Sequence, residues 1–133
     1  MSGKPKTASD RILSAADEIR DRLTKITNEH RLRLSSFLIF RHLADKKNPV
    51  PLVDLAREVG CAASWISEFR SAFWYTDFVT FSKDKKDGRS RMVFITEAGV
   101  EMVQAIQRKI DLFEQDELSH ILTQHGIELS DLR

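Results

Sequence analysis

Two short β-prone segments, Phe78-Val79-Thr80-Phe81 and Arg91-Met92-Val93-Phe94-Ile95, enclose a polar octapeptide, Lys-Asp-Lys-Lys-Asp-Gly-Arg-Ser, at residues 83–90. Aromatic and β-branched residues favour extended chain, and Asp87-Gly88 is a turn signal between strands. The return segment alternates Met92 and Phe94 with Val93 and Ile95, so one set faces a core and the other faces out. The hairpin at 78–95 is the strongest β signal in the chain. Nearly everything around it reads as helix.

Residues 8–29 carry Ile12, Ile19, Leu23 and Ile26 near a 3.5-residue period, with Ala15 and Ala16 filling in. Thr7 or Ser9 is the expected cap. The stripe is narrow, as in a helix laid along a partner helix. Residues 35–45, with Ser35 as the expected cap, are apolar over most of their surface and predict the centre of the core. Lys46 to Pro49 end that helix, and Val50-Pro51 are expected to be extended. A short helix follows over 52–59, with Leu52, Leu55, Ala56 and Val59 inward and Gly60 as a left-handed terminator. Cys61 and Ala62 form a tight turn into a helix over 63–75, where Ile66, Phe69 and Phe73 share one face. Two short helices joined by a Gly-containing turn are the helix-turn-helix pattern.

After the hairpin, Thr96 caps the last long helix. Val103, Ile106, Ile110 and Phe113 recur at spacings of three and four, Leu118, Ile121 and Leu122 extend the pattern, and Gly126 ends it. Ile127, Leu129 and Leu132 in the tail need something to dock on. The fold class is therefore mainly α with a small β-hairpin (α+β), a winged helix-turn-helix with long terminal helices. With 133 residues the chain suits one domain. Its expected parts are a frayed arm at 1–8, dimerisation helices at 9–30 and 97–133, and a winged core at 31–96. The flanking seams, Ile12, Ile19, Leu23 and Ile26 with Ile106, Ile110, Phe113 and Ile121, are expected to bury themselves against a second copy, giving a homodimer.

Composition sets limits on function. The chain is 41% hydrophobic and 31% charged, as ordinary globular proteins are, and its formal charge is only +1. Bulk charge gives no case for a nucleic-acid partner, so the placement of charge must carry it. One cysteine, Cys61, excludes an intrachain disulfide and a multi-cysteine metal site. His30, His42, His120 and His125 form no metal-ligand spacing, and no catalytic motif is present. No cofactor, no metal and no enzymatic activity are expected. No apolar run reaches bilayer length, and the N-terminus lacks an apolar signal core. A cytoplasmic protein without membrane association is the expectation.

The sequence resembles the MarR family of bacterial transcription regulators. Pro51–Gly60 is similar to that family's first helix of the motif, Trp65–Val79 to its recognition helix and next strand, and Leu32–Leu43 to the helix before the motif. Lys86-Asp87-Gly88-Arg89-Ser90-Arg91, followed by Met92–Ile95 and Thr96-Glu97-Ala98-Gly99, resembles the family's D-x-R wing tip, strand and T-x-x-G helix start. The resemblance implies a homodimer built on the first and last helices, recognition helices in successive major grooves, and wing arginines in the minor groove.

The candidate DNA-binding residues follow. In the wing, Lys83, Lys85, Lys86, Arg89 and Arg91 meet only Asp84 and Asp87 as opposing charges. Such a tip suits a phosphate backbone or a narrow minor groove, with Asp87 orienting a neighbouring arginine. On the recognition helix the candidates are Ser64, Trp65, Ser67, Glu68, Arg70 and Ser71. That helix offers little positive charge, although serines can bond phosphates and Glu68 can accept from cytosine N4. Double-stranded DNA is therefore the expected partner. The alternative is a winged-helix protein-interaction module or regulatory subunit, with Trp65 as the anchor on a protein partner. Trp74 and Tyr75 read first as packing residues and, on the resemblance, as the lining of a pocket for a small aromatic effector. Cys61 reads as a small buried hydrophobe, with a redox switch as the second reading.

Overall fold

The computed structural model describes residues 7–60, 65–73, 76–83 and 91–128. Its elements run α1 (Ala8–Asn28), α2 (Leu34–Ala44), β1 (Val50–Pro51), α3 (Leu52–Val59), α4 (Trp65–Phe73), β2 (Val79–Lys83), β3 (Arg91–Ile95), α5 (Glu97–Phe113), a π-helical turn (Glu114–Leu118) and α6 (Ser119–Gln124). The chain divides into two compact units, Arg33–Ala105 and Met1–Leu32 with Ile106–Arg133, and α5 passes from one to the other.

The unit Arg33–Ala105 forms around α2. Phe37, Ile39, Phe40 and Leu43 are buried, as an all-round apolar helix requires. Phe40 meets three rings, Phe73 at 4.8 Å edge-on, Phe69 at 5.8 Å and Phe78 at 6.2 Å. Phe69 in turn meets Phe81 at 5.9 Å. Edge-to-face and tilted pairs of this kind add specific attraction to the burial of apolar area. The helix starts at Leu34 with Arg33 as its cap, and no side-chain hydrogen bond closes that end. The expected Ser35 cap is thus not used. A serine cap contributes only about 1 kcal/mol, whereas burying the phenylalanines of α2 contributes more.

In α3, Leu52, Leu55 and Ala56 are buried, and Val59 is half-buried. Gly60 ends the helix at φ 77°, with its N–H reaching the carbonyls of Ala56 and Arg57. A residue with a Cβ adopts that conformation at a cost. The helix is held to α2 by His42 Nε2, 2.7 Å from Glu58 Oε2, with Lys46 Nζ at 3.5 Å from the same oxygen.

The three strands form an antiparallel sheet in the order β1-β3-β2. Val93 pairs with both Val50 and Phe81 and is fully buried. Val93 and Ile95 face the core and Phe94 faces out, in the alternation expected of β3. The second strand begins one residue later than the sequence suggested and runs on to Lys83. Phe78 is left outside it, its ring on Phe40 and its carbonyl accepting from Thr96 N–H at 2.9 Å.

The other unit pairs α1 with the end of the chain. Thr7 and Asp10 form a reciprocal capping box at the start of α1. Thr7 is therefore the cap, one of the two residues expected in that role, and the frayed arm expected at 1–8 ends before it, since Ala8 is the first residue of the helix. Ala15, Leu122 and Ile127 form a small core with Ile19 and Leu118 against it. The tail residue Ile127 thus docks on its own chain, while Leu129 and Leu132 lie outside the described residues. Three polar contacts run antiparallel along the seam: a hydrogen bond between Glu18 and His125 at 2.7 Å, and ion pairs of Arg22 with Glu117 at 2.9 Å and Glu29 with Lys109 at 2.6 Å.

The last helix is interrupted, where one continuous helix was expected. Phe113 and Leu118 are five residues apart, too far for one α-turn and matched to the i to i+5 spacing of a π-turn. The turn brings Leu118, Ile121 and Leu122 back into phase. Gly126, at φ 69°, then closes α6 as expected, with Ile127 N–H on the Leu122 carbonyl at 2.8 Å.

Two carboxyls make this fold sensitive to acid. The Glu29 pKa is pulled below its ordinary 4.5 chiefly by the hydrogen bond from Lys109, and that of Glu58 chiefly by the hydrogen bond it accepts from His42. A lowered carboxyl favours the folded state fully above the unfolded value and loses that contribution as pH falls through the folded one. The urea midpoint is therefore expected to fall below about pH 4.5. The loss should be smaller in a Glu29→Gln/Glu58→Gln variant and should shrink at high salt, since both groups are exposed. An identical acid limb for variant and parent would refute this origin.

Candidate nucleic-acid interface

The face of α4 that points away from the core is built by elimination. Phe69 is buried and Phe73 half-buried, which leaves Ser67, Glu68, Arg70, Ser71 and Ala72 exposed. At about 100° per residue, Ser67, Glu68 and Ser71 fall within one sector opposite Phe69, and Arg70 stands on its flank. The helix is closed by Thr76, whose N–H and hydroxyl both donate to the Phe73 carbonyl, at 3.0 and 2.8 Å.

The hairpin supplies the positive charge. Lys83 and Arg91 are direct cross-strand partners at the end of the β2–β3 ladder that leads into the connecting segment. Lys83 is exposed and Arg91 half-buried. Neither forms an ion pair or hydrogen bond among the described residues. Like charges placed opposite each other in a ladder repel, so an anion between or beside them would be favourable.

The base of the hairpin is locked to α5. The Thr96 hydroxyl donates to the Asp77 carbonyl and accepts from Gly99 N–H at 3.1 Å, which caps the helix as expected. Gly99 is buried against the Phe78 carbonyl and the Ile95 side chain. A Cβ there would lie 2.6 Å from Ile95 Cγ1 and closer still to the Phe78 oxygen. The Thr-x-x-Gly spacing is thus a cap followed, one turn later, by a contact that only glycine allows.

Of the sequence-derived candidates, Ser67, Glu68, Arg70 and Ser71 share α4, and Lys83 and Arg91 share the last rung of the hairpin before its connecting segment. Trp65 opens α4, but its side chain is outside the description. Ser64, Lys85, Lys86, Asp87 and Arg89 lie outside the described residues, as do Cys61, Trp74 and Tyr75. Among the dimerisation candidates, Ile106, Phe113 and Ile121 are buried within the single chain, and Ile19, Leu23, Ile26 and Ile110 are half-buried. Ile12 is exposed, with Leu13 and Leu112, which the sequence reading passed over, at 66% and 56% exposure. Their signal was present in the sequence, since large aliphatic residues off the main stripe have no core to enter. Among the described residues no cluster of His, Asp or Glu is placed to hold a metal ion, and no helix is long and apolar enough to cross a membrane.

The order of α2, β1, α3, α4 and the β2–β3 hairpin, with α5 beginning at its base, defines a winged-helix fold. It is the fold of MepR, a transcription regulator of the Staphylococcus aureus multidrug efflux pump MepA, at a TM-score of 0.75 and 13% identity over 96% of this chain and 89% of that one. MepR in its complex with DNA gives 0.74 and 14% identity, over 96% and 90%. AbsC, a MarR family transcriptional regulator from Streptomyces coelicolor, gives 0.68 and 16%, over 98% and 88%. At these identities the likeness is one of fold. No protein-family model and no curated protein matches the sequence.

The tight approach at Gly99 generates a direct expectation. Gly99→Ala should lower unfolding free energy by about 1–3 kcal/mol through overpacking against backbone, although alanine is the better helix former. A chemical-denaturation curve that matches or exceeds the parent would contradict the contact.

Proposed function

We propose that the protein is a dimeric, sequence-specific DNA-binding transcription regulator of the MarR type, acting in the cytoplasm. On this reading α4 enters the major groove and the hairpin reaches the minor groove. The observation that carries it is the Lys83–Arg91 couple, two cations held opposite each other in the ladder with no carboxylate partner among the described residues. A phosphate backbone relieves that repulsion. Lys85, Lys86 and Arg89 would extend the cationic edge, with Asp87 orienting an arginine. The structural likeness to MepR in its DNA complex supports the same reading.

The charge distribution agrees. The winged unit carries eleven Lys and Arg against nine Asp and Glu, and the helical unit ten against eleven. The net +1 therefore conceals a positive part and a slightly negative one. Regulation by binding alone, without catalysis, fits such a chain.

The second copy is assigned to the helical unit. Ile12 and Leu13 on α1 and Leu112 on α5 stay exposed there. Leu112 borders an open groove of about 290 Å³, lined also by Ile26 and Phe113. Apolar side chains beside a groove are what a partner helix of the same chain would cover.

Two measurements test the proposal. For Lys83→Ala and Arg91→Ala, affinity should drop for every duplex alike, and the slope of log K against log salt should shrink by about 1 per residue. Unaltered affinity and slope in both variants would sink the reading. In sedimentation equilibrium the parent should weigh twice the 15.3 kDa chain. Leu13→Glu/Leu112→Glu should shift it toward one chain, and a monomeric parent would remove the dimer from the proposal.

A further inference from the structure

The exposed sector of α4 has an unusual chemistry for a surface that meets a polyanion. It holds two hydroxyls, Ser67 and Ser71, and one carboxylate, Glu68. Glu68 makes no hydrogen bond or ion pair among the described residues. Arg70 lies about 160° round the helix from it and cannot serve as its partner on the same face. The helix that the fold directs at DNA therefore carries a carboxylate with no partner among the described residues, beside the hydroxyls of Ser67 and Ser71.

A carboxylate is an acceptor only. Phosphate oxygens, N7 and O6 of guanine and O4 of thymine are acceptors too, and all of them repel it. The hydrogens open to it in the major groove are those on the amino groups of cytosine and adenine. In adenine the amino group sits beside N7, which faces the second carboxylate oxygen unfavourably. Cytosine N4 has only a C–H beside it. Glu68 is thus compatible with one base far better than with the other three.

We infer that Glu68 is the specificity-determining residue of α4 and selects a C·G pair by accepting from cytosine N4. The inference rests on the DNA-binding reading above and divides its work. Lys83 and Arg91 supply attraction that is blind to sequence. Glu68 weakens binding to every duplex and weakens it least where cytosine stands. A glutamine at this position pairs a donor with an acceptor, the complement of adenine N6 and N7, and lacks the repulsion.

The test is selection from a randomised duplex pool by the full chain, its Glu68→Gln variant and its Glu68→Ala variant, with titration of the selected duplexes. The parent should enrich a site with a C·G pair at one position of each half. Glu68→Gln should keep the rest of the site and change that position to A·T. Glu68→Ala should lose preference there and bind bulk duplex more tightly than the parent. Parental discrimination against the other pairs is expected to be about fivefold to a hundredfold. Unchanged melting temperatures are expected, since the side chain is exposed.

The same enriched site for all three proteins would overturn the inference. So would a uniform gain in affinity for Glu68→Gln with no change of preferred base. A parent that is retained on bulk duplex at low salt but enriches no site overturns the inference and leaves the DNA-binding reading standing as non-specific. A parent that binds no duplex overturns both.

Discussion

Phe40 is the ring to which both faces of the candidate interface are fastened. Its edge meets Phe73 on α4, and its other neighbours are Phe69 on the same helix and Phe78 at the foot of the hairpin. Phe69 completes the set through Phe81 on β2. Because Phe69 and Phe73 must face this cluster, the opposite side of α4 must face away. The exposed sector of Ser67, Glu68 and Ser71 is therefore a consequence of where the aromatic residues point. Aromatic pairs hold defined angles as well as distances, so the cluster sets the direction in which α4 presents its polar side.

A second constraint acts at the other end of the hairpin's base. Thr96 bonds the backbone of Asp77 and Phe78, and Gly99 lets α5 come against the Phe78 carbonyl. Phe78 is thus held twice, by its ring and by its backbone. A strand fixed at its foot can present cations at its far end, where Lys83 stands opposite Arg91. The like-charged pair opposes pairing of the ladder by a few tenths of a kcal/mol, and the anchored base offsets it.

The fold was legible in the sequence wherever one local rule and the core agreed. Gly60 ends α3, Thr96 caps α5, and Val93 and Ile95 face inward, because turn chemistry and burial ask for the same thing there. Misreadings came where the two differ. Ser35 is a good cap by type, but the buried face of α2 sets the helix start and places Arg33 at the cap. The five-residue gap from Phe113 to Leu118 was visible and was read as a continuing α-pattern, although it fits a π-turn. The pairing of Glu18, Arg22 and Glu29 with His125, Glu117 and Lys109 lies beyond local reading altogether. Those partners are far apart in sequence, and each is an ordinary surface polar group until the chain brings it across. The same holds for Gly99: the Thr-x-x-Gly spacing is local, while the Phe78 carbonyl that Gly99 lies against is distant in sequence.

The acidic character of α4 was also plain in the sequence, and there it counted against DNA. The structure changes the weight of that observation. Had Glu68 been paired with Arg70 or with a neighbouring helix, it would be a surface ion pair of little consequence. Among the described residues it has no such partner, and it stands on the sector that the aromatic cluster turns outward. Attraction and discrimination need not come from one element, because long-range charge draws in any duplex while hydrogen-bond geometry separates one base from another. A hairpin in which cations outnumber carboxylates can supply the first, which leaves α4 free of the requirement to be basic. On the DNA-binding reading, an acidic recognition helix is then the arrangement that best resists non-specific sites, since each phosphate it approaches without a cytosine to meet Glu68 weakens the complex.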